Sequence, residues 1–319
     1  MTKTWYWYIL LFSTIFFVGA FLRFYLLGSV PNGFYQDESA IGYNAYSILK
    51  TGKDEWGKVF PLYFESFGDY KLPVYIYSTI PSIMIFGMNE FAVRFPSALF
   101  GTLTVALMFF LTKKLTKNVF LSFLAMGFFA FNPWSLHYNR ATFEVSISLF
   151  LFVAGTLLLL ESTLSKYKGL FLIGTLCFVL SIYSYNLTRL LSPLLYLSVV
   201  LYLLFDKKHF PKKEVIITSI ISVIFLIPFI YTLFSKGGVA SARGTLIFSS
   251  AVVKAPLVEF KSYLVSSPFL GKLFSMPILI LWQYVQNIAA YFSVNFLFLT
   301  GSTHGNHGIG DVGQFYLFE

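Results

Sequence analysis

Two pairs of charged residues carry the chemistry of a chain that is otherwise poor in charge. Asp37 and Glu38 are adjacent in FYQDESAIGY, and Asp69 and Lys71 stand two apart in SFGDYKLP. A carboxylate near a hydroxyl nucleophile can take its proton. A cation can meet the charge that builds on a departing phosphate. Together the pairs hold the parts needed to move a group from a phosphate carrier to a hydroxyl. Each pair also has a plainer explanation. After the turn Pro31, Asn32, Gly33, the segment ESAIGYNAYSILKTG reads as a helix, with Asp37 as N-cap and Glu38 in the first turn, where the macrodipole favours negative charge. Asp69 and Lys71 read equally as a local ion pair on a solvated loop.

The elements that position these residues are set by composition. Of 319 residues, 57% are hydrophobic, 20% aromatic and 12% charged, with mean hydropathy +0.72. Soluble domains carry about a quarter charged residues, so this is an integral membrane protein. The net charge of +9 lies in short Lys and Arg clusters between apolar segments, which report topology and exclude nucleic acid as the partner. The single cysteine, Cys177, lies inside an apolar run and has no metal-ligand spacing around it.

A crossing helix needs about 20 apolar residues, and basic loops stay cytoplasmic. With Met1 inside, seven spans follow at residues 5–27, 92–112, 119–134, 144–160, 169–185, 190–205 and 214–234. The lysines at 113, 114, 117, 166 and 168 and the loop DKKHFPKKE then lie inside. The run VYIYSTIPSIMIFG is only 14 residues long and contains Pro81, which reads as a helix in the outer leaflet. Residues 274–299 suit an eighth span or an interfacial helix. The expected fold is therefore all-α: a polytopic membrane helix bundle with about seven spans and outer-face interfacial helices. Residues 1–235 form the transmembrane domain and 236–319 an extracytoplasmic loop region.

This threading gathers nearly all the acids on the outer face. Arg94, Arg140, Glu144 and Arg189 fall at the ends of spans. A charge at the centre of a span costs about 2.5–3.5 kcal/mol, less where the side chain snorkels to the interface. These residues are therefore candidates for a site, with interface anchoring or a structural ion pair as the equal alternative for Arg94 and Arg189. His304 and His307 lack a third metal ligand. No Gly-rich phosphate loop ending in Lys-Ser/Thr is present, which argues against an ATP-driven pump. No cofactor is demanded by these motifs, and a divalent cation is left open.

The segments FYQDESAIGYNAYSILKTG, SFGDYKLP and NEFAVRFPSAL resemble the N-terminal half of GT-C glycosyltransferases of the protein mannosyltransferase and aminoarabinose transferase type, including those with the rhizobial galacturonosyltransferase-like domain. The resemblance runs over about residues 5–200. It implies an enzyme of the cytoplasmic membrane that takes a sugar from a polyprenyl-phosphate carrier and moves it, with inversion, to a lipid, glycan or protein acceptor at the outer face. Asp37 would be the catalytic base, with Glu38 and Asp69 as the accompanying acids. Lys71 would bind the carrier phosphate, and Arg94, Arg140 and Arg189 would lie near that phosphate or in supporting ion pairs. Such enzymes usually run well beyond 319 residues, so a C-terminally truncated chain is expected. A transporter or flippase of lipid-linked saccharides is the alternative; it predicts charges toward the midplane or on both faces. A noncatalytic scaffold would not depend on the Asp37 and Glu38 pair.

Overall fold

The structure is a computed structural model that describes residues 3–67, 69–162, 169–205, 212–233, 276–302 and 312–316. Among these, all seven apolar segments are helical. In chain order the elements are α1 (Lys3–Phe24), α2 (Gln36–Thr51), β1 (Phe64–Ser66), β2 (Asp69–Lys71), α3 (Pro73–Phe86), α4 (Glu90–Thr116), α5 (Val119–Phe131), α6 (Pro133–Arg140), α7 (Glu144–Ser162), α8 (Gly169–Ile182), α9 (Thr188–Phe205), α10 (Lys212–Leu233) and α11 (Met276–Tyr291). The chain divides into two compact units between Tyr231 and Thr232.

Length and composition single out α1, α4 and α7 as helices able to cross a bilayer alone. The fourth candidate is the α5–α6 pair, bent by 52° at Asn132. Shorter apolar stretches occupy α3, α8, α9 and α10. Helices suit this composition because a backbone in hydrocarbon must satisfy its own N–H and C=O groups. The sequence puts the end of the third span at 134 and NPWSLHYNRATFE at the outer face between two spans. Most of that stretch is α6. The Asn132 side chain accepts from Ser135 N and Pro133 takes the first helical position, so α5 ends at Asn132 and a new helix starts there in a different direction.

Helix α2 also differs in detail from the expected capping. It begins at Gln36 with Tyr35 as N-cap, and no side chain caps it. Asp37 is thus the second residue of the helix and not its cap, which releases its carboxylate for a partner elsewhere. The segment at 74–87 is the 14-residue α3, with Pro81 inside it.

Three apolar clusters hold the first unit together. One joins Ile41, Ala45 and Ile48 of α2, Phe64 of β1, Tyr75 and Ile76 of α3, Val93 of α4 and Ile147 of α7. This cluster fixes the direction of α2, and therefore of the charged pair at its start. A second joins α4 and α5 around Phe109, Phe123 and Met126, with Phe12 and Ile15 of α1 packed on it. The third links α7 to α8, α9 and α10. Helices α7 and α8 meet at Gly155 and Gly174, where a Cβ on either would lie within 3.1 Å of the other's carbonyl oxygen. Small residues permit this approach, as is common where lipid tails leave helices only close packing to associate by.

In the second unit, α11 has 16 residues, short of the ~20 of a full crossing. Its Gln283 donates to Asn287 one turn on at 3.1 Å. A five-residue π-helical turn follows at Asn295–Leu299.

Candidate active site

Consecutive helical residues point about 100° apart, so Asp37 and Glu38 cannot face the same surroundings. Glu38 turns into the bundle and is fully buried, while Asp37 stays 44% exposed. Glu38 receives a two-pronged contact from Arg94 of α4: Nε donates to Oε1 at 2.9 Å and Nη2 to Oε2 at 2.8 Å. Oε1 also accepts from the backbone N and the hydroxyl of Thr142, each at 3.0 Å. Arg94 is 1% exposed. Its remaining donors go to the carbonyls of Leu27 (3.2 Å), Pro31 (3.0 Å) and Gly33 (2.5 Å). All five donors of the guanidinium are therefore engaged by protein. A buried pair tolerates desolvation only when its other hydrogen bonds are met, as they are here.

Asp37 pairs with Lys71 at 3.0 Å, and the lysine is 12% exposed. Lys71 ends β2, the second strand of a short antiparallel hairpin in which Phe64 lies opposite Lys71 and Ser66 opposite Asp69. The Asp69 backbone is part of that ladder; its side chain lies outside the described residues. Beyond Lys71, the backbone N of Leu72 donates to Glu144 Oε1 at 3.3 Å, tying the hairpin to the start of α7. The N-terminal ends of α2 and α7 and the hairpin thus converge at one place. Tyr35, the N-cap of α2, donates its hydroxyl to Thr142 O at 3.0 Å. Burial raises its phenol pKa, and the charges of Glu38 and Asp37 raise it further. The residue donates at this position and does not ionise.

The other two arginines occupy different places. Arg140, at the end of α6, donates to the carbonyls of Leu22, Tyr25 (2.7 Å) and Val30 (3.1 Å), clamping the turn that leads from α1 to α2. Arg189 lies across from the hairpin. Its Nη2 donates to Tyr63 OH at 3.2 Å, and the guanidinium sits 4.9 Å from the Phe229 ring centroid and 5.9 Å from that of Tyr63. The Tyr63 ring packs 5.5 Å from Tyr70, the neighbour of Lys71. Arg189 Nε is buried with no hydrogen-bond partner among the described residues.

Two further residues matter that the sequence reading passed over. Thr142 is one, since it holds Glu38 from the turn between α6 and α7. Arg23 is the other: it is fully buried and donates to Asn139 Oδ1 (2.9 Å), the carbonyls of Gly19, Ala130 and Phe129 (3.0 Å each) and Ser135 Oγ (3.1 Å). Asn139 in turn donates to Ser146 Oγ at 3.0 Å and lies against Gly101, where an added Cβ would come within 2.2 Å of its side chain. As the one charge after Lys3 in a long apolar helix, Arg23 carries the signal that marks a polar network at membrane depth. Thr142 carries no comparable signal.

Among the described residues no group of three His, Cys, Asp or Glu gathers as a metal set. His304 and His307 lie outside the described residues.

Comparison with known proteins agrees with this architecture. The family model for dolichyl-phosphate-mannose-protein mannosyltransferase matches residues 71–232, just over half of the chain. The match begins at Lys71, so Asp37 and Glu38 precede it. Search of the curated proteins finds no match. Among solved structures, the archaeal oligosaccharyltransferase AglB from Archaeoglobus fulgidus, in complex with an inhibitory peptide and a dolichol-phosphate, aligns with TM-score 0.54 at 14% identity, covering 92% of this chain and 38% of that one. The same enzyme tethered to an acceptor peptide aligns with TM-score 0.55 at 14% identity, over 91% of this chain and 38% of that one. At such identity the likeness is one of fold. The chain spans under two-fifths of the length of those structures.

Proposed function

The chain belongs to the dolichyl-phosphate-mannose-protein mannosyltransferase family, and on that premise we propose that it transfers a sugar from a polyprenyl-phosphate carrier to an acceptor hydroxyl at the outer face of the cytoplasmic membrane. The observation that carries this reading is the Asp37–Lys71 pair, half open and mounted on the sealed Glu38–Arg94 pair. A base and a phosphate-binding cation are needed side by side, on elements that do not move.

In this reaction the acceptor oxygen attacks the anomeric carbon as the carbon–oxygen bond to the phosphate breaks. The hydroxyl proton passes to the Asp37 carboxylate, and the bonding pair leaves with the lipid phosphate. One displacement inverts the anomeric centre. The arriving phosphate competes with Asp37 for Lys71, which frees the carboxylate to act as base. Arg189, with an Nε that has no partner among the described residues and an aromatic surround, is the second phosphate cation. Arg94 and Arg140, whose donors go to Glu38 and to backbone carbonyls, hold the turn before α2 and do not bind the carrier. Asp69 is the second acid of the hairpin, beside Lys71 in the chain. The acceptor, whether lipid, glycan or protein, approaches from outside.

The test supplies membranes bearing the full-length protein with polyprenyl-phosphate sugars and a panel of acceptors. Wild type is compared with Asp37→Asn. Transfer by wild type that disappears in the variant supports the assignment, while undiminished transfer by the variant removes Asp37 as base. Movement of the intact lipid-linked sugar across the membrane, with no transfer to any acceptor, would favour the transport reading.

A further inference from the structure

The end of α4 remote from the candidate site carries its own cluster. Between Arg94 and Lys113 the helix rises about 29 Å at roughly 1.5 Å per residue, close to the ~30 Å hydrocarbon thickness of a bilayer. The lysines at that end therefore lie near the opposite membrane surface.

Phe110, Lys113 and Lys114 are spaced i, i+3 and i+4 on one face of α4, and Lys117 follows as its left-handed C-cap. They line a cleft of about 570 Å³ that α7 and the start of α8 complete with Leu158 and Leu170. Lys114 pairs with Glu161 of α7 at its rim. Lys113 and Lys117 are exposed and have no carboxylate partner among the described residues, and the Lys113 ammonium sits 5.8 Å from the Phe109 ring centroid. Lysines that only report topology, or that only oppose the helix macrodipole, need not share a face. Here three cations line one apolar cleft, against a single carboxylate, Glu161, among the described residues.

We infer that this cleft binds an anionic phospholipid, with its headgroup phosphate between Lys113 and Lys117 and an acyl chain along Phe110, Leu158 and Leu170. Charge complementarity selects the headgroup. The apolar wall of Phe110, Leu158 and Leu170 selects a lipid over a free phosphate. Basic pockets between membrane helices are a known setting for such binding. The site is a full helix length from Asp37 and independent of the transfer reaction.

The experiment measures binding of a fluorescent phosphatidylglycerol to the full-length protein in detergent, in competition with phosphatidylglycerol, phosphatidylcholine of the same chains, and glycerol phosphate. Phosphatidylglycerol is expected to compete best. Lys113→Gln with Lys117→Gln should weaken binding roughly 30-fold, the loss of two cations near an anionic surface. Glu161→Gln should strengthen it several-fold by removing the one competing carboxylate, a gain that misfolding does not produce. Equal competition by phosphatidylcholine, equal competition by glycerol phosphate alone, or unchanged affinity in both variants would each overturn the inference.

Discussion

Asp37 and Glu38 share a peptide bond, yet their carboxylates end in opposite settings. Glu38 is fully buried, with every neighbour a donor: two from Arg94 and two from Thr142. Asp37 has Lys71 at 3.0 Å and close to half of its side chain open. The first arrangement is fully engaged and takes no further ligand without loss of a buried bond. The second is half open, with its lysine 12% and its aspartate 44% exposed, and so its carboxylate can exchange partners with a substrate. The difference teaches that the sealed pair serves as foundation and the open pair as machinery.

The sharpest way to break that comparison is Asp37→Asn. Transfer rate should fall by about 10²–10⁴-fold, the usual contribution of a positioned base, while the melting temperature in detergent stays near wild type. A large drop in melting temperature instead would show that Asp37 is structural too. Next in size is Arg94→Met, which leaves Glu38 buried and unpaired and should lower stability by about 3–5 kcal/mol, read from thermal or denaturant unfolding. If the variant melts with wild type, the pair is no foundation.

Lys71→Gln should act on the open side alone. A lost charge-assisted contact of about 1.5–3 kcal/mol predicts a KM for the lipid-linked donor about 10- to 100-fold higher, with little change in melting. The smallest effect separates the two members of a conservative couple at Thr142. Thr142→Val removes the hydroxyl donor to Glu38 and should lower stability by about 1–2 kcal/mol, whereas Thr142→Ser should keep it. Equal behaviour of the two variants would remove the hydroxyl from the sealed network.

Much of this arrangement is legible in the chain itself. Apolar runs mark the seven helical segments, whereas the segment with Asp69 and Lys71 reads only as a solvated loop, and its pairing with Phe64–Ser66 as a hairpin comes from the structure. The division of labour between the arginines is less legible. Arg94, Arg140 and Arg189 read alike as charges at span ends, but Arg94 pairs with Glu38 and backbone carbonyls, Arg140 holds backbone carbonyls, and Arg189 keeps an Nε with no partner among the described residues. Helix α6 escaped notice because His137, Asn139 and Arg140 made its sequence look like a polar loop, although Asn132 and Pro133 already hold a helix-start signal.

The sequence by itself determined the helical, membrane-embedded class of the protein, because backbone groups in hydrocarbon must be paired within their own segment and local composition suffices to require it. It also determined that a carboxylate and a lysine would flank the first stretch of chain to leave the membrane. Only the tertiary structure decided which carboxylate would be sealed. Arg94 and Thr142 reach Glu38 across 56 and 104 residues of chain, and the ~100° step between neighbouring helical residues then leaves Asp37 facing Lys71. Contacts at that separation depend on how α2, α4 and α7 pack, which no local pattern encodes.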